Sequence, residues 1–442
     1  MTRLSYDGQL CTIRYCGPLP QWPNETALGV EWDNPSRGKH SGQYKGTEYF
    51  ECAVPNSGSF VKSSKQHDPL TSFDECLQRK YLDHFEHSEI QLSQVKSVET
   101  VGMDKIHRRY QHLEKLRTIS LSRQCMNSFD PWTLASRLIS LTSLDLSFNL
   151  FDDLDIVFRH VQRFPLVSLD LSGNRFTTTT VSCTLPWLEE LNLGRTLIAC
   201  DEIPKVVSVC PKLCRLGLSF NNLDEFPRLP SLQWVDLASN RLTTLPPYVC
   251  EMVVRGNAIS AIESDVNCPM LDLMDQKSAQ LLDWKDMDHL KVSELWLTET
   301  TRWRPEIIGR LGTLRKLNGV AIDVEQRRDC ELYVISQVKK GLLPPLPFDR
   351  QSELAENYGA TCGEFVSSNS IRARLMRVTV DGQEFAIVRD ASIQRLIYMI
   401  RRKLNVRDVN LLKNGIQLDR DQLVGEVLSP GDSLTACRQN QI

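Results

Sequence analysis

Two glycines bracket a lysine in Gly38-Lys39-His40-Ser41-Gly42. Glycine serves where the chain needs positive φ or a close backbone approach, so this spacing makes a tight, exposed turn with Lys39 and polar groups at its tip. Aromatic residues crowd the same stretch: Trp32 before it, then Tyr49, Phe50 and Phe60, with Lys62 just beyond in Gly58-Ser59-Phe60-Val61-Lys62. An apolar groove edged by a cation suits an extended peptide ending in a carboxylate. The stretch is too short for a catalytic domain, so the chemistry it offers is recognition.

No constellation for catalysis stands beside it. Gly38-Lys39 is not a phosphate-binding loop, because His40 takes the Ser/Thr place and no upstream glycine has the spacing. Gly-x-Ser-x-Gly and His-Glu-x-x-His are absent. His84 and His87 could share a helix face, but no cysteine or carboxylate set completes a metal site around them. Basic residues lack the aromatic interleaving of a nucleic-acid groove. The expectation is a protein that is not an enzyme, with no cofactor, no metal, no nucleic-acid partner and no membrane partner.

Composition agrees. Over 442 residues, 41% are hydrophobic and 24% charged, as in globular chains long enough for several domains. The net charge of −3 divides unevenly: +1 over 1–65, −8 over 66–371 and +4 over 372–442. Such a division suggests modules with separate partners. No run approaches a membrane span, and the polar start, Met1 to Leu10, has no signal-peptide pattern. Fourteen cysteines without a Cys-x-x-Cys read as reduced core thiols, which implies the cytosol.

The middle repeats itself. Leu-x-x-Leu-x-Leu-x-x-Asn recurs as Leu141, Leu144, Leu146, Asn149, then Leu166 to Asn174, Leu213 to Asn221 and Leu232 to Asn240. A looser copy runs from Val249 to Asn257, and variants end on Gln124, Thr196 and Thr300. One such unit cannot bury its leucines alone, but stacked units share a core, so 111–322 is expected to be a leucine-rich repeat solenoid. Leu311, Leu314, Leu317 and Asn318-Gly319-Val320 read as its closing cap. Cys200–Cys210 has room to be an outer helix, whereas Pro227, Pro230, Pro246 and Pro247 exclude helix in the short repeats. Glu190, Arg215, Trp234, Asp236 and Trp296 fall on the strand face and are expected to meet a partner.

The flanks are less regular. Residues 66–110 read as a helical connector, with Ser72 or Thr71 as cap and Glu75 in the reciprocal position. Residues 323–341 are helix-like, and 344–370 look like a linker of prolines and serines. From 372 the pattern is strand, Asp381-Gly382 turn, strand, a helix from Ile393 to Leu404 capped by Ser392, and two further strands. This order resembles the ubiquitin β-grasp. The chain ends Gln439-Asn440-Gln441-Ile442 without the diglycine of a conjugated tag, so a docking domain is expected.

Residues 1–65 resemble a CAP-Gly domain, a β-barrel whose loop signature is Gly-Lys-Asn-Asp-Gly. Here His40 and Ser41 hold the third and fourth places, and histidine in the third is the form of the tubulin-folding cofactors. Many such domains carry a Gly-x-Arg strand before Asp7-Gly8, where this chain has only Met1 to Tyr6, which leaves an alternative start open. Ala27 stands where the family has tryptophan, so that wall of the groove is missing or supplied by Trp22, and Ala27→Trp is expected to tighten binding. CAP-Gly, repeats and ubiquitin-like module in this order resemble the tubulin-folding cofactor E family, a multidomain α+β architecture of 1–65, 66–110, 111–322, 323–371 and 372–442. The resemblance implies a non-enzymatic, cytoplasmic and cytoskeleton-associated chaperone of α-tubulin. Its partners would be cofactors C and D, with B and proteasome-linked factors as further candidates. It also implies that Gly38, Lys39, His40, Ser41, Gly42 and Lys62 hold the α-tubulin tail while Trp32 and Phe60 flank its last aromatic side chain. A microtubule adaptor that recruits degradation machinery is the other reading of the same modules.

Overall fold

The structure is a computed structural model. It describes residues 3–83, 90–93, 96–98, 111–229, 231–246, 251–262, 266–277, 283–298, 304–359, 375–388, 391–404, 409–413, 415–420, 422–428 and 432–438. His84, His87, Pro230, Pro247, Val249, Thr300, the serines of 367–370 and the last four residues lie outside the described residues. Two compact units divide the chain, 1–334 with 344–347, and 335–343 with 348–442.

The first unit opens with an antiparallel sheet in the order Arg3–Tyr6, Gln9–Leu19, Trp22–Trp32 and Gly58–Lys62. Asp7 and Gly8, both at positive φ (57° and 72°), turn the first strand into the second. Leu4, Tyr6, Cys11, Val30 and Trp32 alternate onto one face and form its small core. Thr71–Ser72 then pairs in parallel with Met126–Ser128 of the repeats. The helix expected across 66–110 is confined to Phe73–Leu77 and a wider turn through Leu82, followed by the paired strands Ile90–Ser93 and Lys96–Val98. Ser72 and Glu75 make the reciprocal cap foreseen for it. Phe73, Cys76, Leu77 and Tyr81 enter the repeat core, so this helix closes the open end of the solenoid rather than spacing two domains.

Eleven strands from Thr118–Ser120 to Val320–Ala321 form one sheet, parallel until the last pair. One apolar side chain per strand stands in register, from Ile119 and Leu144 through Leu216 and Val235 to Leu295 and Leu317. Beneath the strands that end on asparagine, the ladder residue joins two repeats. Asn221 Nδ2 donates to the carbonyls of Leu193 (2.8 Å) and Leu218 (3.0 Å), while its Oδ1 accepts from the amides of Thr196 (2.9 Å) and Leu197 (2.7 Å). Asn149, Asn174, Asn240 and Asn257 are equally buried and bond in the same way. The turn in front of each asparagine takes positive φ, at Phe148, Gly173, Phe220, Ser239 and Gly256.

One repeat escaped the sequence pattern. Cys268, Leu271, Leu273 and Gln276 supply it: Gln276 Nε2 reaches the carbonyl of Val254 (3.0 Å) and Oε1 accepts from the Ile259 amide (3.0 Å). Cysteine for leucine and glutamine for asparagine hid a unit whose longer side chain makes the same bonds. The outer side carries Cys200–Glu202 and Ile203–Ser208 as expected, and also Leu154–Val161. Leu311, Leu314 and Leu317 are buried in the cap, where Asn318 and Gly319 turn at positive φ.

The helix expected at 323–341 runs Val324–Lys339. The expected linker contains a further helix, Phe348–Tyr358, directly after Pro347. Proline is excluded from a helix interior but not from the position before a start, and Leu354 gives this helix a buried contact. The second unit then holds a five-stranded sheet in the order Gln383–Val388, Leu375–Val380, Ser433–Arg438, Val409–Lys413, Ile416–Gln417. Ile393, Leu396, Ile397 and Ile400 of the helix Ile393–Leu404 bury against it.

Asn221→Ala should destabilise the first unit by about 2–4 kcal/mol, since it leaves buried carbonyls and amides without partners. Urea denaturation of the two proteins checks this; an unchanged midpoint would remove the ladder as a source of stability.

Candidate groove of the N-terminal module

Strand alternation gives the N-terminal sheet two faces, and the second carries a cluster of aromatic rings, the candidate groove. Phe60 pairs with Gly29 across adjacent strands. A side chain at Gly29 would run into Phe50, 2.4 Å from its Cε1, so the glycine makes space for rings on this face. A β-bulge between Ile13 and Tyr15 brings Tyr15 opposite Gly29 and onto the same face. Phe60 becomes the hub: Tyr49 stands edge-on at 5.5 Å, Phe50 at 5.6 Å, Tyr44 at 6.3 Å and Tyr15 at 6.4 Å between ring centroids. Edge-to-face packing of this kind adds specific geometry to apolar burial.

The glycine-flanked loop borders this cluster, and its two glycines serve different needs. Gly38 has extended backbone; a Cβ there would meet the Asn56 carbonyl at 2.0 Å. Gly42 takes φ +113° and passes against the Phe50 carbonyl, where a Cβ would stand at 1.6 Å. Between them the Lys39 amide donates to the Gly58 carbonyl (2.7 Å) and the Gly58 amide to the His40 carbonyl (2.7 Å). Ser41 Oγ accepts from the Asn56 amide at 2.9 Å, bonding backbone as expected but in the neighbouring loop. Lys39 itself is exposed and makes no ion pair among the described residues.

His40 is not at a loop tip. Its ring tilts against Phe60 at 5.0 Å, and Nδ1 accepts a hydrogen bond from the Gly42 amide at 3.0 Å. That bond needs an unprotonated Nδ1. Burial, and then the charge of Lys39, lower its pKa below 6.5. The imidazole is therefore a neutral part of the aromatic floor at pH 7.

Three expectations change. Trp32 does not line the groove: it faces the opposite side of the sheet with Val30, is 4% exposed, stands edge-on to Tyr6, and carries the Arg37 guanidinium 4.1 Å above its ring. Lys62 is engaged, with Nζ 3.0 Å from Glu25 and 5.6 Å from the Trp22 ring. Ala27 leaves no missing wall. It is fully buried opposite Gly17, and Tyr15 lies over Gly17 with its hydroxyl bonded to the Pro18 carbonyl at 2.7 Å.

Tyr15, Tyr44 and Glu31 were not foreseen. Glu31 is buried, pairs with Arg14 Nε at 2.8 Å and accepts from the Val54 amide at 3.0 Å. It thereby fixes the loop on which Asn56 and Gly58 hold Lys39 in place. Its position two residues after Gly29, on the groove face, was the available signal. A cavity of about 460 Å³ lies elsewhere, between Ala53 and residues 197–200 and 221–225 of the repeats.

A CAP-Gly domain model matches residues 2–66. Tubulin-specific chaperone E of Bos taurus is 31% identical over 378 residues, spanning 75% of this chain and 70% of that protein. The chain belongs to the tubulin-specific chaperone E family. Its human member is 29% identical over the same shares, and protein PAC2 of Saccharomyces cerevisiae is 27% identical over 84% of this chain and 80% of its own length. Among solved structures, the APL1 leucine-rich repeat domain aligns at 20% identity over 46% of this chain and 55% of its own, with a TM-score of 0.33. That similarity is too low to add to the strand register itself.

Two outcomes follow for the groove. Because the folded pKa of His40 is depressed, its contribution to stability is whole above 6.5 and is lost as pH falls through the lower folded value. Acidification from about pH 7.5 to about pH 5.5 should therefore lower the melting temperature of the wild type more than that of His40→Phe. Equal losses would free His40 of this role. Ala27→Trp should overpack rather than tighten, costing about 1–3 kcal/mol; calorimetric unfolding together with peptide titration separates the two.

Proposed function

We propose that this chain is a non-enzymatic tubulin-folding chaperone that binds α-tubulin by its C-terminal tail and by its body. Membership of the tubulin-specific chaperone E family supports the activity, and the exposed Lys39 beside the Phe60 cluster carries the tail contact. The tail's carboxylates meet Lys39 and the loop around it, and its terminal aromatic side chain rests on Phe60, Tyr49 and Tyr15. A neutral His40 widens the apolar floor. Lys39 is unpaired among the described residues, so no internal ion pair has to break when an acidic peptide arrives. The strand face of the repeats, with Arg215 paired to Glu190 (3.0 Å) and set over the Trp234 ring (4.6 Å), meets the folded body. Two weak contacts on one chain reinforce each other through effective concentration.

The modules are read as 1–65 CAP-Gly, 66–110 connector and first cap, 111–322 repeats, 323–371 helices and linker, and 372–442 ubiquitin-like. A five-stranded sheet with one helix across it, and a parallel pairing of Leu375–Val380 with Ser433–Arg438, support a ubiquitin-like β-grasp for the last. Its basic balance suits acidic partners: cofactors C and D, with B or proteasome-linked factors as further docking partners. No described helix is long and apolar enough to cross a membrane, and a cytoplasmic place near the cytoskeleton follows from the substrate.

Lys39→Ala should weaken binding of an α-tubulin tail peptide about tenfold, the effect of losing one charge-assisted bond of roughly 1.5–3 kcal/mol, with folding intact. Titration by calorimetry reads it, and equal affinities would remove Lys39 from the site. Deleting 372–442 should leave the peptide affinity unchanged yet abolish release of subunits from the tubulin dimer in the presence of cofactor D. Full activity of the truncated protein would confine that module to regulation, and preference for polymer over dimer would favour an adaptor instead.

A further inference from the structure

Charge holds the seam between the N-terminal sheet and the repeats. Arg3 grips Asp33 with two parallel bonds, Nη1 to Oδ1 at 3.1 Å and Nη2 to Oδ2 at 2.7 Å, and donates a third to Thr12 Oγ1 at 2.9 Å. The same Nη2 comes within 3.4 Å of the carbonyl of Asn149, a ladder residue of the solenoid. From the solenoid, Arg175 brings Nε to 3.6 Å from Asp33 Oδ1 and donates Nη1 to the Arg195 carbonyl at 2.5 Å. The Arg3 side chain is wholly shielded from solvent, and those of Asp33 and Arg175 are mostly so. Burial alone would raise the Asp33 carboxyl; Arg3 and Arg175 outweigh it and hold it below the usual carboxylate range.

Two features set this seam apart from an ordinary module junction. Contacts between modules of one chain usually permit relative motion. Here, a swing of the sheet would part the mostly shielded Asp33 carboxylate from the Arg175 guanidinium and break the contact of Arg3 with the Asn149 carbonyl. Moreover, Arg3 already satisfies Asp33 within the sheet through a bidentate pair. The sheet has no need of Arg175 for its own fold, so the solenoid arginine serves the junction.

We propose that Asp33 and Arg175 are positioning residues that lock the peptide groove at one distance and orientation from the strand face of the repeats. The tail and the body of one tubulin subunit are then read together by a single rigid surface, not by a groove on a swinging tether. This rests on the tubulin-binding reading above. A fixed geometry concentrates the effective-concentration gain on partners whose two sites match it, and denies it to isolated acidic tails.

The test uses the full-length protein, with spin labels on unnatural amino acids at the exposed positions Asn24 and Thr244, and three forms: wild type, Arg175→Met and Arg175→Lys. Pulsed dipolar spectroscopy should give one narrow distance in the wild type, a broad distribution in Arg175→Met, and partial narrowing in Arg175→Lys. Tail-peptide affinity should stay within about twofold across all three, while affinity for the tubulin dimer falls about tenfold or more in Arg175→Met and recovers in part in Arg175→Lys. A broad wild-type distribution overturns the proposal without recourse to any variant. So does an Arg175→Met protein that keeps either the narrow distance or the full dimer affinity. A wild type that binds neither peptide nor dimer overturns the tubulin reading instead, and the distance result still decides whether the seam is rigid.

Discussion

Backbone amides and carbonyls that leave a strand and turn into the interior have lost water, and each must find another partner. Much of the first unit is organised by that need. In the repeats the partner is the side chain of Asn149, Asn174, Asn221, Asn240 or Asn257, and each of these bonds the turn of its own repeat and that of a neighbour. A residue that satisfies two repeats at once makes the stack cooperative along its axis. The same device recurs at the ends: Asp74 of the first cap accepts from the amides of Thr133, Leu134 and Ala135, and Asn318 of the closing turn accepts from Leu297.

The groove obeys the same rule in a smaller space. Glu31 takes up the Val54 amide, Ser41 the Asn56 amide and His40 the Gly42 amide, so polar side chains that look like ligands in the sequence are partly spent on holding their own loops. Lys39 and a surface of rings stay outside these bonds. Lys39 and Lys62, similar in sequence context, differ in surroundings: Glu25 and Trp22 engage the second.

Electrostatics also join the parts. Exposed pairs such as Lys205 with Glu202 contribute little to stability. The Arg3, Asp33 and Arg175 group is mostly shielded from water and joins the N-terminal sheet to the repeats.

Periodicity made much of the architecture legible. Leucine spacing and the recurring asparagine disclosed the repeats, because a strand that buries every second residue and a turn that needs an internal amide leave few substitutes. The Ser72–Glu75 cap, the Asp381-Gly382 turn and the helix Ile393–Leu404 could likewise be read from local chemistry. The sequence also singled out Lys39 and its two glycines, since positive φ and close backbone approach admit little else. It could not say which face of a strand each aromatic residue would occupy. Trp32 and Phe60 look alike in the chain, yet strand pairing sends one into the core and the other into the groove, and a single bulge after Ile13 turns Tyr15 to the groove side. Nor could it show that Tyr15 lies over Gly17, or that Asp33 meets an arginine 142 positions further along the chain. Those outcomes depend on register and on contacts between distant segments, which only the folded chain brings together.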